Sequence, residues 1–369
     1  MNNVQNKKLA FGCMRLPLKN DDIDYDEFKK MVDMFIERGF TYFDTAHGYH
    51  GGKSELAIKE CLTSRYPREA YTLTDKLTSE YFKKEEDIIP FFFNQLAWCG
   101  VDYFDYYLMH AQSSRNYQHF MDNHAYEVCK KLKEQGYIKH LGISFHDNAE
   151  FLDKILTEHP EIEIVQIQFN YFDYLSSLVQ SKACYDVVRS HNLPVLIMEP
   201  VKGGKLANLN EKAAKVLNDL NNGTPASYAV RFAASHEGVY QVLSGMSNLA
   251  QVDDNTSYMQ NFIPLNDKEY KAINQVVEVL NELDLIECTA CRYCVEGCPK
   301  QIRIPDLFNV YNQYIQFNNT GSDFSFSMAT RNGGLPSSCI KCGKCENICP
   351  QHLPIRNELE KISKIFEKN

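Results

Sequence analysis

The sequence predicts an α/β chain in two parts: a (β/α)8 TIM barrel over residues 1–285, then a small, mainly helical, cysteine-rich domain over residues 286–369. Three observations carry this reading. Eight short apolar runs alternate with helical patterns before residue 265, at intervals of about 25 to 45 residues. Eight cysteines then fall in two runs of four between residues 288 and 349. The first apolar run is followed by Phe11-Gly12-Cys13-Met14, not by the Gly-x-Gly-x-x-Gly turn that an open doubly wound sheet would want.

The predicted strands are 8–11, 42–44, 72–76, 106–110, 140–144, 164–168, 194–198 and 241–243. Several are apolar on both faces, as parallel strands covered by helices should be. Residues 25–38 place Phe28, Met31, Val32 and Phe35 on one helical face, and Gly39 ends the helix. Residues 87–98, 125–135, 149–158, 180–190 and 249–259 follow the same period. Residues 267–285, with Ile273, Val276, Val277 and Leu280 recurring, read as a closing helix and connector. No Gly/Ser-rich linker precedes Cys288, so the two domains are expected to pack rather than to be tethered. Ile304, Phe308, Tyr311 and Ile315 form a helical face between the cysteine runs. Residues 318–338, polar and Gly-containing, read as a long mobile loop. Leu359, Ile362 and Phe366 indicate a short terminal helix. The aromatics Phe91, Phe92, Phe93 and Trp98 read as core.

Composition narrows the function. A formal charge of −9 argues against a nucleic-acid partner, because neutralising phosphates needs a basic surface. The first ten residues hold no apolar signal core, and no stretch approaches the ~18 uninterrupted apolar residues of a membrane span. Thirteen cysteines in such a chain point to a reducing cytoplasm. Five of them, Cys13, Cys61, Cys99, Cys129 and Cys184, are scattered and read as buried small hydrophobes.

The other eight carry chemistry. Cys288, Cys291, Cys294 and Cys298 precede a proline in the spacing C-x2-C-x2-C-x3-C-P, and Cys339, Cys342, Cys345 and Cys349 repeat it at an offset of 51 residues. This is the bacterial iron–sulfur run, in which the fourth cysteine of each run ligates the other cluster. It assigns Cys288, Cys291, Cys294 and Cys349 to one [4Fe–4S] cluster, and Cys339, Cys342, Cys345 and Cys298 to a second. Structural zinc would want separated pairs of ligands.

In a barrel, the carboxyl ends of the strands face the active site. Asp44 ends the second predicted strand, Lys76 the third and His110 the fourth, and Tyr49 follows Asp44 by five residues. A free phenol has a pKa near ~10, and a lysine ammonium beside it lowers that value by stabilising tyrosinate. Asp44 would keep Lys76 charged, and His110 would donate to a substrate oxygen or to the Tyr49 hydroxyl. Together they make an acid suited to protonating a carbonyl oxygen as hydride reaches its carbon. Singly, each residue has a plainer account: a core aromatic, a satisfied histidine, a structural ion pair. The weight lies in four residue types on three successive strand ends.

Residues Gly39-Phe-Thr-Tyr-Phe-Asp-Thr-Ala-His-Gly-Tyr49, Thr74-Asp-Lys76 and Tyr107-Leu-Met-His110 resemble the signatures of the aldo-keto reductases, over roughly residues 8 to 260. The eight-cysteine tail resembles the subgroup carrying a ferredoxin-type domain with two [4Fe–4S] clusters. The resemblance implies a carbonyl reductase barrel using NADP(H) or NAD(H), with Asp44, Tyr49, Lys76 and His110 as its tetrad. It further implies that Ser144 and Gln166 hold the cofactor carboxamide. Gly245, Ser247, Gln251 and Asn255 would hold the adenosine phosphate and adenine, the phosphate lying at a helix N-terminus. Two departures stand out. Met198 occupies the place where many members stack a tyrosine on the nicotinamide, and Gly245 and Gln251 stand where cations often grip a 2′-phosphate. Lys202 and Gly203, with Gly204, make a turn that fits a pyrophosphate, although Glu199 nearby would repel it unless turned away or paired.

Nicotinamide moves two electrons as hydride; a cluster moves one. No flavin motif bridges them, and a flavin stays open as a third cofactor. The favoured reading couples hydride transfer on a carbonyl or alcohol substrate to single-electron exchange with a ferredoxin- or flavodoxin-like partner. A second makes the clusters structural, supporting a tail with little core of its own. A third makes the chain an electron carrier or redox sensor with a barrel that does not turn over. The aromatic-containing segments 112–123 and 171–177 are the candidate substrate loops.

Overall fold

The computed structural model describes residues 7–177, 179–283, 285–288, 291–317, 321–349 and 351–367. The first six residues, Asp284 in the expected connector helix, Thr289 and Ala290 of the first cysteine run, Asn318 at the start of the expected loop and Pro350 after the second run lie outside the described residues.

Ten strands follow in chain order: β1 (Leu9–Gly12), β2 (Leu18–Lys19), β3 (Asp22–Ile23), β4 (Tyr42–Asp44), β5 (Thr72–Leu77), β6 (Phe104–Gln112), β7 (Ile138–Phe145), β8 (Ile164–Gln168), β9 (Val195–Met198) and β10 (Val239–Ser244). Eight of them close a parallel barrel in the order β1-β10-β9-β8-β7-β6-β5-β4, while β2 and β3 form a separate antiparallel hairpin. The eight predicted strands are these eight, with ends shifted by up to two residues. The hairpin was not foreseen; at two residues per strand it is too short to show a period.

Helices α1 (Tyr25–Glu37), α2 (Lys53–Ile58), α3 (Glu85–Cys99), α4 (Tyr117–Asp122), α5 (Ala125–Glu134), α6 (Ala149–Glu158), α7 (Ser181–Ser190), α8 (Glu211–Asn218), α9 (Pro225–Ala234) and α10 (Leu249–Met259) are interleaved with the strands. Short polar side chains start several of them. Asp24, Asn148, Asn210 and Asn248 each accept a backbone N–H three residues on, satisfying a donor the helix cannot. Helices α2, α4, α8 and α9 were not among the predicted ones. α4 lies in the segment expected as a substrate loop, and its Tyr117 and Phe120 are buried rather than presented to a site. Phe93, expected in the core, is 40% exposed.

By contact the chain divides into two compact units, residues 1–202 with 226–266, and residues 203–225 with 267–369. In the first, strand alternation sends Ala10, Tyr42, Leu108, Ile164, Leu196 and Leu243 into the barrel interior. Phe11, Phe28, Phe35 and Phe43 pack outside it, with ring centroids 5.3 to 5.7 Å apart. Each such fully buried ring contributes roughly 1.5–3 kcal/mol.

In the second unit, α11 (Asp267–Asn281) packs on α8, which draws residues 203–225 into this unit. The expected break at 285/286 therefore falls inside a compact unit. α11 ends at Asn281, short of the expected 285. Then come α12 (Tyr293–Glu296), α13 (Ile304–Gln316), α14 (Ser322–Thr330), α15 (Lys344–Ile348) and α16 (Ile355–Phe366). Ile304, Phe308, Tyr311, Leu359 and Ile362 are buried together, as their spacing foretold. α14 corrects the expected loop: its polar, serine-rich sequence hides a helix that buries only Ser322 and Ala329.

Gly142 shows how tightly the barrel closes. A Cβ there would lie 2.5 Å from the Ile164 carbonyl oxygen and 2.7 Å from Leu108 Cδ2. Gly142→Ala is expected to destabilise the fold by about 1–3 kcal/mol, read from the urea midpoint, because the backbone must move to admit the methyl.

Candidate active site and iron–sulfur centre

The register of β4 against β5 sets Asp44 beside Thr74, two residues before Lys76. The Lys76 side chain is 0% exposed, and its ammonium donates to Asp44 Oδ1 at 2.6 Å, to the Thr45 carbonyl at 2.7 Å and to the Tyr49 hydroxyl at 3.3 Å. Burial works against this charge, but Asp44 and Tyr49 outweigh it, and the Lys76 pKa rises on balance. Tyr49 sits in a short 3-10 turn whose His50 and Gly51 are left-handed (φ 51° and 63°). Its ring meets His110 edge to face, centroids 6.0 Å apart. Desolvation pushes the phenol up, and Lys76 opposes that without reversing it. The net lowering expected from the sequence is not found. The phenol is held as the protonated acid, with the ammonium favouring its anion.

His110 Nδ1 lies 2.6 Å from the Thr78 hydroxyl. Desolvation, then the Lys76 ammonium, then His146, depress its pKa well below the usual value, so the imidazole is neutral. Gln166 donates to Asp44 Oδ2 at 3.1 Å, which places it against the tetrad. The Ser144 hydroxyl accepts the N–H of Ala111 at 2.8 Å, steadying the left-handed residue (φ 54°) that follows His110.

The remaining predicted cofactor residues divide. Met198 ends β9, half-buried. Lys202 is not free: its ammonium lies 2.6 and 2.8 Å from the Asp173 carboxylate oxygens. Gly203 (φ 64°) belongs by contact to the second unit. Ser247 N–H donates to Gln251 Oε1 at 2.7 Å, and Asn255 donates to the Gln251 carbonyl at 2.9 Å, so these three form one local network at the start of α10. Sequence reasoning missed Arg15. It runs beside Gly245, where an added Cβ would lie 3.4 Å from its Cδ, and its carbonyl accepts the Ser247 hydroxyl at 2.8 Å. Its guanidinium lies 3.9 Å from Glu199, so that carboxylate is paired. The signal was there, a lone cation in the turn after β1, but nothing in the sequence joins residue 15 to residue 245.

In the second unit, one pocket is lined by Cys288, Cys291, Cys294 and Cys349 with Ile304, Phe308 and Ile355. Another is lined by Cys298, Cys339, Cys342 and Cys345 with Ile302, Ile304 and Leu359. Each gathers three cysteines of one run and the fourth of the other. Among the described residues no His or carboxylate lines either, so the donor set is all sulfur, which suits an iron–sulfur cluster. The Ile302 N–H points at Cys298 Sγ, 3.4 Å away. The repeat extends to the backbone. Arg292 and Gly343 are left-handed before a short helix, Gln301 and His352 are left-handed after it, and longer helices start at Ile304 and Ile355.

A profile described as "Aldo/keto reductase family" matches residues 8–278, and one described as "4Fe-4S dicluster domain" matches residues 287–353. The chain belongs to the aldo/keto reductase family and carries a C-terminal 4Fe-4S dicluster domain. It is 28% identical over 177 residues to a "Probable aldo-keto reductase 1" of Glycine max, covering 44% of this chain and 48% of that one. It is 25% identical over 260 residues to the "NAD(P)H-dependent D-xylose reductase xyl1" of Hypocrea jecorina, covering 60% and 78%. Over 77 residues it is 29% identical to the "Acetyl-CoA decarbonylase/synthase complex subunit alpha 1" of Methanosarcina acetivorans, covering 21% of this chain and 8% of that one. The chain thus spans about half the length of the Glycine max relative and a small part of the Methanosarcina one. Two solved structures share the fold. An aldo-keto reductase of Bacillus halodurans in its holo form has TM-score 0.59, 22% identity and coverage of 73% and 91%. One of Klebsiella pneumoniae in complex with NADP and acetate has TM-score 0.60, 17% identity and coverage of 73% and 91%.

The depressed pKa of His110 has a measurable consequence. Between its folded value and the usual 6.5, the unfolded chain binds the proton that the folded chain refuses. Its contribution to stability is therefore complete above about pH 6.5 and is lost as pH falls. His110→Gln is expected to flatten the acid side of the Tm-against-pH curve, measured by calorimetry from pH 5 to 8.

Proposed function

We propose that this chain reduces a carbonyl, or oxidises the matching alcohol, by hydride transfer with a nicotinamide cofactor, Tyr49 acting as the general acid, and that two [4Fe–4S] clusters exchange single electrons with an outside carrier. The observation that carries the first part is the buried Lys76 ammonium held between Asp44 Oδ1 at 2.6 Å and the Tyr49 hydroxyl at 3.3 Å.

When bound, the nicotinamide supplies hydride to a carbonyl carbon. The chain's own residues handle the proton. Tyr49 gives its hydroxyl proton to the forming alkoxide, and the ammonium beside it steadies the phenolate that results. Asp44 keeps Lys76 charged and fixed; Gln166 in turn holds the second oxygen of Asp44. The His110 tautomer with its hydrogen on Nε2 would accept the Thr78 hydroxyl at Nδ1, 2.6 Å away, and donate to the substrate oxygen. A neutral imidazole in that role adds no second cation to compete with Lys76.

The residues that would hold the dinucleotide are Ser144, Gln166 and Met198 toward the ring, and Arg15, Gly245, Ser247, Gln251 and Asn255 toward the phosphates and adenine. Gly245 lies under the aliphatic stem of Arg15, where an added Cβ would meet Cδ, Cβ and Cγ at ordinary contact distances of 3.4 to 3.6 Å. With Gly245 and Gln251 supplying no charge, Arg15 is the cation of this set, and either NADPH or NADH fits it. The thiolates of Cys288, Cys291, Cys294 and Cys349 would hold one cluster, and those of Cys339, Cys342, Cys345 and Cys298 the other. When bound, the clusters supply one-electron redox capacity.

One observation favours a structural share for the clusters as well. Cys294 is buried in the core of the second unit, and Cys288, Cys298, Cys339, Cys345 and Cys349 pack against that core.

Two experiments test this reading. Tyr49→Phe should lower kcat for carbonyl reduction by about 10²–10⁴-fold with the visible iron–sulfur spectrum intact; undiminished turnover would remove the tyrosine from its role. Cys291→Ser in anaerobically prepared protein should cut iron from about eight to about four per chain and abolish reduction by a ferredoxin. If electron exchange survives the loss and only Tm falls, the clusters are structural.

A further inference from the structure

The tetrad leaves unexplained a group of buried polar side chains behind Lys76. Strand alternation turns Asp75 to the face of β5 opposite Lys76. There it meets Glu55 from α2 and Cys99 and Gln95 from α3, all four 0% or nearly 0% exposed. One ligand-type atom from each of Glu55, Asp75 and Cys99 lies within 4.8 Å of the others. The Cys99 thiol donates to Asp75 Oδ2 at 3.6 Å, and His47 Nδ1 lies 2.6 Å from Glu55 Oε2.

Two carboxylates in dry contact cannot both be ionised. The groups facing them do not supply the missing charge. Lys76 is spent on Asp44 and Tyr49 on the other face of the strand; His47, from the loop after β4, has its pKa lowered by burial; Cys99 and Tyr107 remain thiol and phenol because burial raises both. A single proton between the two carboxyls satisfies the site.

That pair also grips the main chain of Lys76. Asp75 Oδ1 accepts the Lys76 N–H at 2.8 Å. Gln95 Nε2 donates to Glu55 Oε1 and to the Lys76 carbonyl, each at 3.1 Å, while the Tyr107 hydroxyl donates to Gln95 Oε1 at 2.5 Å. Both main-chain groups of the residue that carries the ammonium thus end in this cluster. We propose that Glu55 and Asp75 hold one proton between them and act as positioning residues, fixing the main chain of Lys76 so that its ammonium stays between Asp44 and Tyr49. The inference rests on the tetrad reading above only for its effect on turnover; the shared proton stands independently.

Desolvation lifts both carboxyls, Glu55 to about 7 and Asp75 well above its usual value, so the pair gives up its last proton only as pH turns alkaline. Repulsion then loosens the grip. The infrared spectrum of the folded chain should show a protonated-carboxyl C=O band that fades as pH is raised. Asp75→Asn keeps the acceptor for the Lys76 N–H and gives Glu55 a permanent donor. It should lack the band and lose the alkaline fall in kcat expected of the unaltered chain. Glu55→Ala, which frees Gln95, should lower kcat by about tenfold or more with little change in KM. The raised carboxyl pKa values also mean that the folded chain holds a proton the unfolded chain releases. The pair's own contribution to stability should then fall as pH rises from ~4, a fall that Asp75→Asn should reduce relative to the unaltered chain. A missing band, an unchanged alkaline limb in folded Asp75→Asn, or one equivalent of zinc that disappears in Cys99→Ser would each overturn the proposal. A titrating band in a chain without Tyr49-dependent turnover would instead sink the reaction and keep the proton pair.

Discussion

A lysine ammonium with no exposure to water is the constraint on which the barrel unit turns. Left unpaired, such a charge costs several kcal/mol, and an amine so placed would shed its proton. Here it keeps it, because one carboxylate oxygen and one carbonyl oxygen take two of its three hydrogens at 2.6 and 2.7 Å. The third lies toward the phenol at 3.3 Å, a longer and weaker bond. The asymmetry suits a proton donor. In the proposed reaction, the ammonium is anchored by groups that do not react and can tighten on the phenol that does.

That arrangement was legible in the sequence because a parallel barrel turns position into geometry. Once 42–44, 72–76 and 106–110 are strands, their last residues must converge, and Asp44, Lys76 and His110 are named before any coordinates. What was not legible are contacts that no period encodes. Arg15 reaches Gly245 across the closing seam of β1 and β10, a pairing of the first strand with the last. Asp75 looked like a neighbour of the important residue; only the packing of α2 and α3 shows that its carboxyl faces Glu55. The net effect on Tyr49 was misjudged for the same reason. The cation was visible in the chain, whereas the desolvation that outweighs it belongs to the fold.

The cysteine unit was legible in another way, through repetition. An offset of 51 residues relates the cysteines, the left-handed residues before and after each short helix, and the first residues of the longer helices. A repeat kept at the level of backbone conformation makes each run a module that offers three sulfurs of one cavity and lends its fourth to the other. α14 breaks the pattern: it fills the span between the modules, and its weak apolar face left nothing for periodicity to find.

The two carboxyl sites on either side of β5 show how one strand serves opposite electrostatic ends. On the inner face, Asp44 must be an anion, because the ammonium needs one. On the outer face, a few ångströms of backbone away, Glu55 and Asp75 meet no comparable cation and are forced toward neutrality. If the outer pair were fully ionised, its charge would favour the ammonium but oppose the phenolate that the ammonium is there to stabilise. Keeping a proton on the outer face therefore halves that opposing charge and leaves the Lys76 ammonium to respond when the phenol gives up its own proton. In the proposed reaction, the protonation of residues that never touch substrate becomes part of the condition under which Tyr49 acts.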